Sequence, residues 1–230
     1  MIGRASVGAA VVMSLCLVAV SGRAEEAPLH RAPFDRAIVR FFARETGGVD
    51  APRFIFEREL AFEARLEALS QGETREGDPP YRPRDISAAL ERHIAETVLE
   101  SLNIDPKPSE AEIGARVDQA RLALIERVGG VVPLSTAARA EGMDDIEIAR
   151  LLRRQALASL YLDRMVAPML DPTDAELRTV QRTQRTPFSG QSFATIEAPL
   201  RRWYVQGRLA AAVSAYYDGL RTRLTVALLR

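Results

Sequence analysis

The sequence contains few of the residues on which catalytic and metal sites depend. It holds one cysteine, Cys16, and two histidines, His30 and His93, among 230 residues. A single cysteine excludes a disulfide within the chain. A zinc site needs three or four convergent ligands, usually with one closely spaced pair, and neither histidine has such neighbours in the sequence. We therefore predict no metal site and expect His93 to be a partly exposed helix residue.

Several catalytic motifs are also missing. The spacing Gly-x-Ser-x-Gly of a nucleophile elbow does not occur around Ser189 or Ser192, and no glycine loop is suited to phosphate. The acidic pair Asp144 and Asp145 lies at an expected helix start, where carboxylates favour the helix dipole. Basic and acidic residues balance at 31 each, which offers no surface for nucleic acid. We therefore predict a protein that is not an enzyme, with no catalytic residue, cofactor or nucleic-acid partner.

Two pairs of adjacent arginines could in principle hold a phosphate or a carboxylate. They are Arg153 with Arg154, and Arg201 with Arg202. Charges on amphipathic helices more often form a solvated face. We therefore expect these side chains to face the solvent.

The chain has no long apolar run except at its start. Residues 7–20 are mostly apolar, but a membrane-spanning helix needs roughly 20 such residues. Gly22 and Ala24 then place small residues at the positions that a signal peptidase prefers. This pattern predicts a signal peptide over residues 1–24 and an exported, periplasmic chain over 25–230, without stable membrane insertion. An uncleaved anchor is the alternative.

Apolar residues that recur every three or four positions predict a mainly helical fold. We expect a first helix from Phe54 and a second from Asp85, with residues 71–83 between them as a loop. The second helix carries the clearest apolar stripe, formed by Ile86, Leu90, Ile94, Val98 and Leu102.

Two capping boxes mark further helix starts. In each, a hydroxyl and a glutamate satisfy backbone N–H groups that the first helical turn leaves free. Ser109 stands three residues before Glu112, and Thr173 three residues before Glu176. Each cap contributes roughly 1 kcal/mol to stability.

The remaining pattern predicts three more helices and two strands. The helices are expected over residues 134–141, over 144–168, and from 196 or 200 to 221. Residues 36–42 and 222–229 are suited to strands. We expect these two strands to pair, which would bring the two ends of the domain together.

This ordered succession resembles the SurA-type periplasmic chaperones, whose core belongs with the peptide-binding domains of SurA and trigger factor. The matching stretches are residues 109–129, 140–143, 148–155, 161–168, 172–177 and 201–230. The resemblance implies a multi-helix SurA-like chaperone core with a small β element. It also implies a function in shielding unfolded exported proteins, typically precursors of outer-membrane β-barrels.

The chain departs from this family at the link over residues 187–193. Family members usually carry one or two parvulin-type prolyl isomerase domains between helices like those at 173–185 and 200–221. Only about 15 residues separate these helices here, whereas even a small domain needs roughly 50. The resemblance therefore implies the chaperone core without isomerase activity.

A chaperone needs an open apolar surface with adaptable side chains, because its clients share composition and not sequence. The candidate peptide-binding residues are Met143, Met165, Met169, Phe188 and Phe193, which we expect around one hollow. The alternative for each is an ordinary core position. We predict an exported chaperone whose partners are unfolded polypeptides. A structural or adaptor protein with one fixed partner is the alternative function.

Overall fold

The computed structural model of the chain describes residues 35–72 and 81–229. Seven α-helices and one three-stranded antiparallel sheet lie within these ranges, so the predicted mainly helical class is confirmed. The predicted signal peptide and most of the predicted loop over residues 71–83 lie outside the described residues.

The helices follow one another along most of the described chain. They are α1 (Glu57–Ser70), α2 (Pro83–Glu100), α3 (Glu110–Arg127), α4 (Val131–Ala140), α5 (Asp145–Tyr161), α6 (Asp174–Thr183) and α7 (Phe193–Arg221). Between α5 and α6 the chain forms a π-helical turn (Leu162–Val166) and a 3-10 turn (Ala167–Leu170). The strands are β1 (Ala37–Phe42), β2 (Arg53–Phe56) and β3 (Thr225–Leu228).

The sheet has the order β2-β1-β3, with both neighbours antiparallel to β1. The expected pairing of the two terminal strands is confirmed, because Phe41 lies opposite Val226. The expected helix start at Phe54 is wrong, since residues 53–56 form β2 and α1 begins at Glu57. Ile55 is buried between the exposed Phe54 and Phe56, which is the alternation of a strand with one covered face.

Side-chain hydrogen bonds explain where the helices begin. Ser109 accepts from the backbone N–H of Glu112 at 3.3 Å, and Thr173 accepts from that of Glu176 at 3.3 Å, so both predicted capping boxes are confirmed. The second helix begins at Pro83 and not at Asp85 as expected. Asp85 lies in the first turn and accepts from the backbone N–H of Arg82 at 2.7 Å.

Four hydrophobic clusters lie among the described residues. The smallest contains Ile104, Ile113 and Leu160, and the three larger ones hold most of these elements together. The first joins the inner face of the sheet to α1, α2 and the end of α7 through Phe41, Ile55, Leu60, Val98 and Leu220. The second joins α1, α3, α4 and α5 through Phe62, Leu66, Leu124, Leu134, Leu151 and Leu152. The third joins α6 to the start of α7 through Leu177, Val180, Ile196 and Leu200.

Helix α7 is therefore fixed at its two ends by different clusters. Leu200 belongs to the cluster with α6, and Leu220 belongs to the cluster under the sheet. The helix begins at Phe193, earlier than expected, and continues through Pro199, whose missing N–H removes one helical hydrogen bond. The segment between Thr183, where α6 ends, and Phe193 contains no helix or strand and forms a turn over residues 187–190.

We expect Phe41→Ala to lower the free energy of unfolding by about 3–5 kcal/mol, because it empties a fully buried site on the central strand. Phe54→Ala is the matched control, since this strand residue is 45% exposed and its loss is expected to cost under about 1 kcal/mol. Urea denaturation of both variants measures the difference. Equal losses would contradict the placement of the core beneath β1.

Candidate functional site

A groove of about 640 Å³ lies between α2, α5 and α7. The α2 wall consists of Ala88, Glu91, Arg92, Glu96 and Leu99. The α5 wall consists of Gln155, Ala158 and Ser159, with Leu162 just after the helix. The α7 wall consists of Ala210, Val213, Ser214, Tyr217, Asp218 and Arg221.

The groove exists because the middle of α7 does not pack closely against the rest of the protein. No residue between Leu200 and Leu220 is buried, and this stretch spans roughly 28 Å at 1.5 Å per residue. Its half-exposed apolar residues include Trp203, Val205, Leu209, Val213 and Tyr217. These side chains therefore remain partly accessible to solvent.

Two ion pairs neutralise part of the charge on the groove walls. Arg92 binds Glu67 of α1, and Arg221 of α7 binds Glu91 of α2 across the groove. Burial raises the pKa of the Tyr217 hydroxyl, and the nearby charge of Glu96 raises it further. The remaining lining is mostly apolar, with Glu96 on the α2 wall and Asp218 on the α7 wall.

Behind the α2 wall lies a cluster of buried charges that links α1, α2 and α5. The guanidinium of Arg154 donates to Glu63 at 2.5 Å and to Glu59 at 2.7 Å. His93 Nδ1 lies 2.9 Å from the same Glu63 oxygen, Oε1. Glu96 Oε2 accepts from Nε of Arg154 at 3.4 Å. Each of the three helices therefore contributes at least one charged group to this cluster.

The expectations for His93 and Arg154 are wrong. His93 is 4% exposed and Arg154 is 8% exposed, whereas the adjacent Arg153 faces the solvent as expected. Arg154 follows Leu151 by three residues, and this helical spacing puts both side chains on the buried face of α5. That spacing is the sequence signal that could have placed Arg154 in the core.

The two arginines of the second pair, Arg201 and Arg202, also differ in their surroundings. Arg201 donates to the Asp171 carboxylate at 3.1 Å, to the Pro172 carbonyl at 2.6 Å and to the Asp174 carboxylate at 2.6 Å. These bonds join α7 to the start of α6. Arg202 faces the solvent as expected.

The cluster contains two carboxyl groups with opposite pKa shifts. Burial opposes ionisation of Glu63, but the charges of Arg154 and His93 outweigh it and lower the pKa of Glu63 to about 2. For Glu96 burial dominates, and the charge of Arg154 offsets it only partly, so its pKa rises to about 7. Arg154 thus neutralises Glu63 well and Glu96 poorly.

The ligand atoms of Glu59, Glu63 and His93 lie within 4.8 Å of one another, which is close enough to hold a metal ion. The guanidinium of Arg154 already binds the carboxylates of Glu59 and Glu63. It would compete with a cation for these groups. We therefore interpret the group as an ion-pair cluster that links three helices.

The structure does not bring the five candidate peptide-binding residues into one hollow. Met143 is 9% exposed and belongs to the core cluster of α1, α3, α4 and α5. Phe188 and Phe193 are half-buried against α6 and α7. Met165 is half-buried in the π-helical turn, and Met169 is 74% exposed in the 3-10 turn after it. None of the five lines the groove.

No protein-family model, curated protein or solved structure matches this chain. The resemblance to SurA-type chaperones therefore stays a prediction. Within residues 35–72 and 81–229, no helix combines the length and the apolar character needed to cross a membrane.

We expect Arg154→Met to lower the free energy of unfolding by about 3–5 kcal/mol, because it leaves buried carboxylates without their cation. Arg153→Met is the matched control. Its partner Glu110 is 79% exposed, so its loss is expected to cost under about 1 kcal/mol. Chemical denaturation at neutral pH measures both. Similar losses for the two neighbours would refute the proposed structural role of Arg154.

The raised pKa of Glu96 makes stability depend on pH. The folded state keeps the Glu96 proton up to about pH 7, whereas the unfolded chain releases it near pH 4.5. Stability therefore falls as the pH rises through this interval, and Glu96→Gln should remove that decline. Unfolding free energies measured between pH 4.5 and pH 8 test this. Glu100→Gln, at the exposed end of α2, should retain the decline.

Proposed function

We propose that the protein is an exported chaperone that holds apolar segments of unfolded polypeptides in the groove between α2, α5 and α7. The observation that carries this proposal is the middle of α7, where no residue between Leu200 and Leu220 is buried. Apolar side chains on that stretch stand over a groove that the fold leaves open. The resemblance to SurA-type chaperones and the predicted signal peptide support the same function.

The dimensions and chemistry of the groove suit a peptide segment. Its volume of about 640 Å³ lies within the range of roughly 300–1,000 Å³ found for ligand sites. It has room for a few apolar side chains but not for a folded domain. Apolar contact is not directional, so such walls can accept segments that differ in sequence.

Binding of this kind needs neither nucleotide nor covalent chemistry. A protein that binds the unfolded state of a client lowers the concentration of free unfolded chains that can aggregate. Because aggregation requires contact between such chains, its rate falls. The proposed mechanism is therefore reversible occupation of the groove.

Some of the original candidate residues fit this groove better than others. Leu162 lines it, Met165 lies in the same π-helical turn, and Met169 lies in the 3-10 turn that follows. We propose that these two methionines extend the contact surface at that end. Met143 is a core residue and has no part in this proposal.

Substitution of Ala210 tests the proposal. This residue lines the groove, whereas the equally exposed Ala211 does not. Ala210→Arg puts a long charged side chain into the groove and should weaken binding of an unfolded, uncharged apolar peptide about tenfold, roughly 1.4 kcal/mol. Ala211→Arg should leave the affinity unchanged. Fluorescence anisotropy with a labelled peptide, together with light scattering of an aggregating client, measures both effects.

The same measurements distinguish the chaperone function from the alternative adaptor function. Failure of the wild-type protein to bind the peptide or slow aggregation would overturn the chaperone proposal. A single stable complex with one native envelope protein, without general protection of unfolded clients, would support the adaptor function instead. Equal effects of Ala210→Arg and Ala211→Arg on binding would show that the peptide does not bind in the groove.

A further inference from the structure

We infer that the groove prefers segments in which an arginine or lysine stands among apolar residues, with the cation bound by the Glu96 carboxylate and the Tyr217 ring. This inference rests on the proposed function and names the chemical class of the client segment. It follows from the acidic side chains on the groove walls that form no ion pair with a basic residue of those walls.

Two acidic side chains on the groove walls have no basic partner on those walls. Arg92 is bound by Glu67, and Glu91 is bound by Arg221, so these four residues neutralise one another in pairs. Glu96 and Asp218 remain as acidic groups on the α2 and α7 walls. Within the described ranges Asp218 forms no hydrogen bond or ion pair. The groove therefore complements a positively charged segment.

Glu96 is the acidic group that would gain most from a ligand cation. Its ion pair with Arg154 is long, at 3.4 Å, because that guanidinium binds Glu63 and Glu59 more closely. The side chain of Glu96 is 15% exposed, so little water compensates for its burial. Burial raises its pKa to about 7, because the charge of Arg154 offsets the burial only partly.

Tyr217 supplies the second half of the cation site. Its ring lies on the α7 wall of the same groove whose α2 wall carries Glu96. An aromatic face attracts an ammonium or guanidinium group, and the attraction grows where water is excluded. A carboxylate and an aromatic ring that line one groove therefore suit a basic side chain flanked by apolar neighbours.

The experiment compares three labelled peptides of one apolar sequence whose central residue is arginine, glutamine or glutamate. In the wild-type protein the arginine peptide should bind about tenfold more tightly than the glutamine peptide, and the glutamate peptide most weakly. Glu96→Gln should reduce the preference for arginine to under about threefold. Glu100→Gln, outside the groove, should keep the full preference.

Tyr217→Leu provides a second variant that does not disturb the buried charges. It keeps an apolar wall but removes the ring, so the arginine preference should fall while affinity for the glutamine peptide stays within about twofold. This variant keeps the inference testable even if Glu96→Gln does not fold. An unchanged preference in either folded variant would overturn the assigned site.

The pH dependence of peptide binding distinguishes a role of Glu96 in binding from a purely structural role. A bound cation favours the ionised carboxylate, so the arginine preference should grow as the pH rises from about 6 to about 8. The charged and titratable groups around Glu96 are Glu63 of α1, Arg92 and His93 of α2, Arg127 of α3, Arg154 of α5 and Tyr217 of α7. Because all six remain in Glu96→Gln, the loss of the pH effect in that variant isolates Glu96.

The outcomes separate this inference from the proposed function. Equal binding of the arginine and glutamine peptides to the wild-type protein would refute the cation site and leave the apolar groove intact. Absence of binding by all three peptides would refute both proposals.

Discussion

The structure depends on the ion pairs that Arg154 makes in the interior. Its guanidinium, carried by α5, binds Glu59 and Glu63 of α1 and approaches Glu96 of α2. Buried charges of one sign are tolerated only when an opposite charge lies close to them. The three helices must therefore keep the relative positions that this one side chain requires. Those positions also define two walls of the groove.

The second constraint is the attachment of α7 at both ends. Leu200 packs with α6, and Leu220 packs beneath the sheet, so the helix spans the distance between two separate clusters. Between these two attachments the helix does not pack closely against α2 and α5. Its apolar residues remain half-exposed, and the groove beneath them is the consequence. Because Arg154 binds Glu63 more closely than Glu96, Glu96 remains an incompletely neutralised acidic group on the α2 wall of the groove.

Much of the fold could be predicted from local patterns. The capping boxes at Ser109 and Thr173 and the pairing of the terminal strands were read correctly. Strand β2 was missed, because four residues of alternation join directly to helical spacing at Phe56. The binding residues were less predictable. Methionine and phenylalanine suit both a core and a contact surface, and Met143 proved to be a core residue.

The sequence by itself determined where the helices lie and how most of them begin, because caps and apolar periodicity act between residues a few positions apart. Tertiary structure alone decided which helix faces meet and which remain open. Arg153 and Arg154 are chemically identical neighbours, yet one faces the solvent and the other neutralises the interior. Burial and charge compensation arise between residues far apart in the chain, and the groove depends on both.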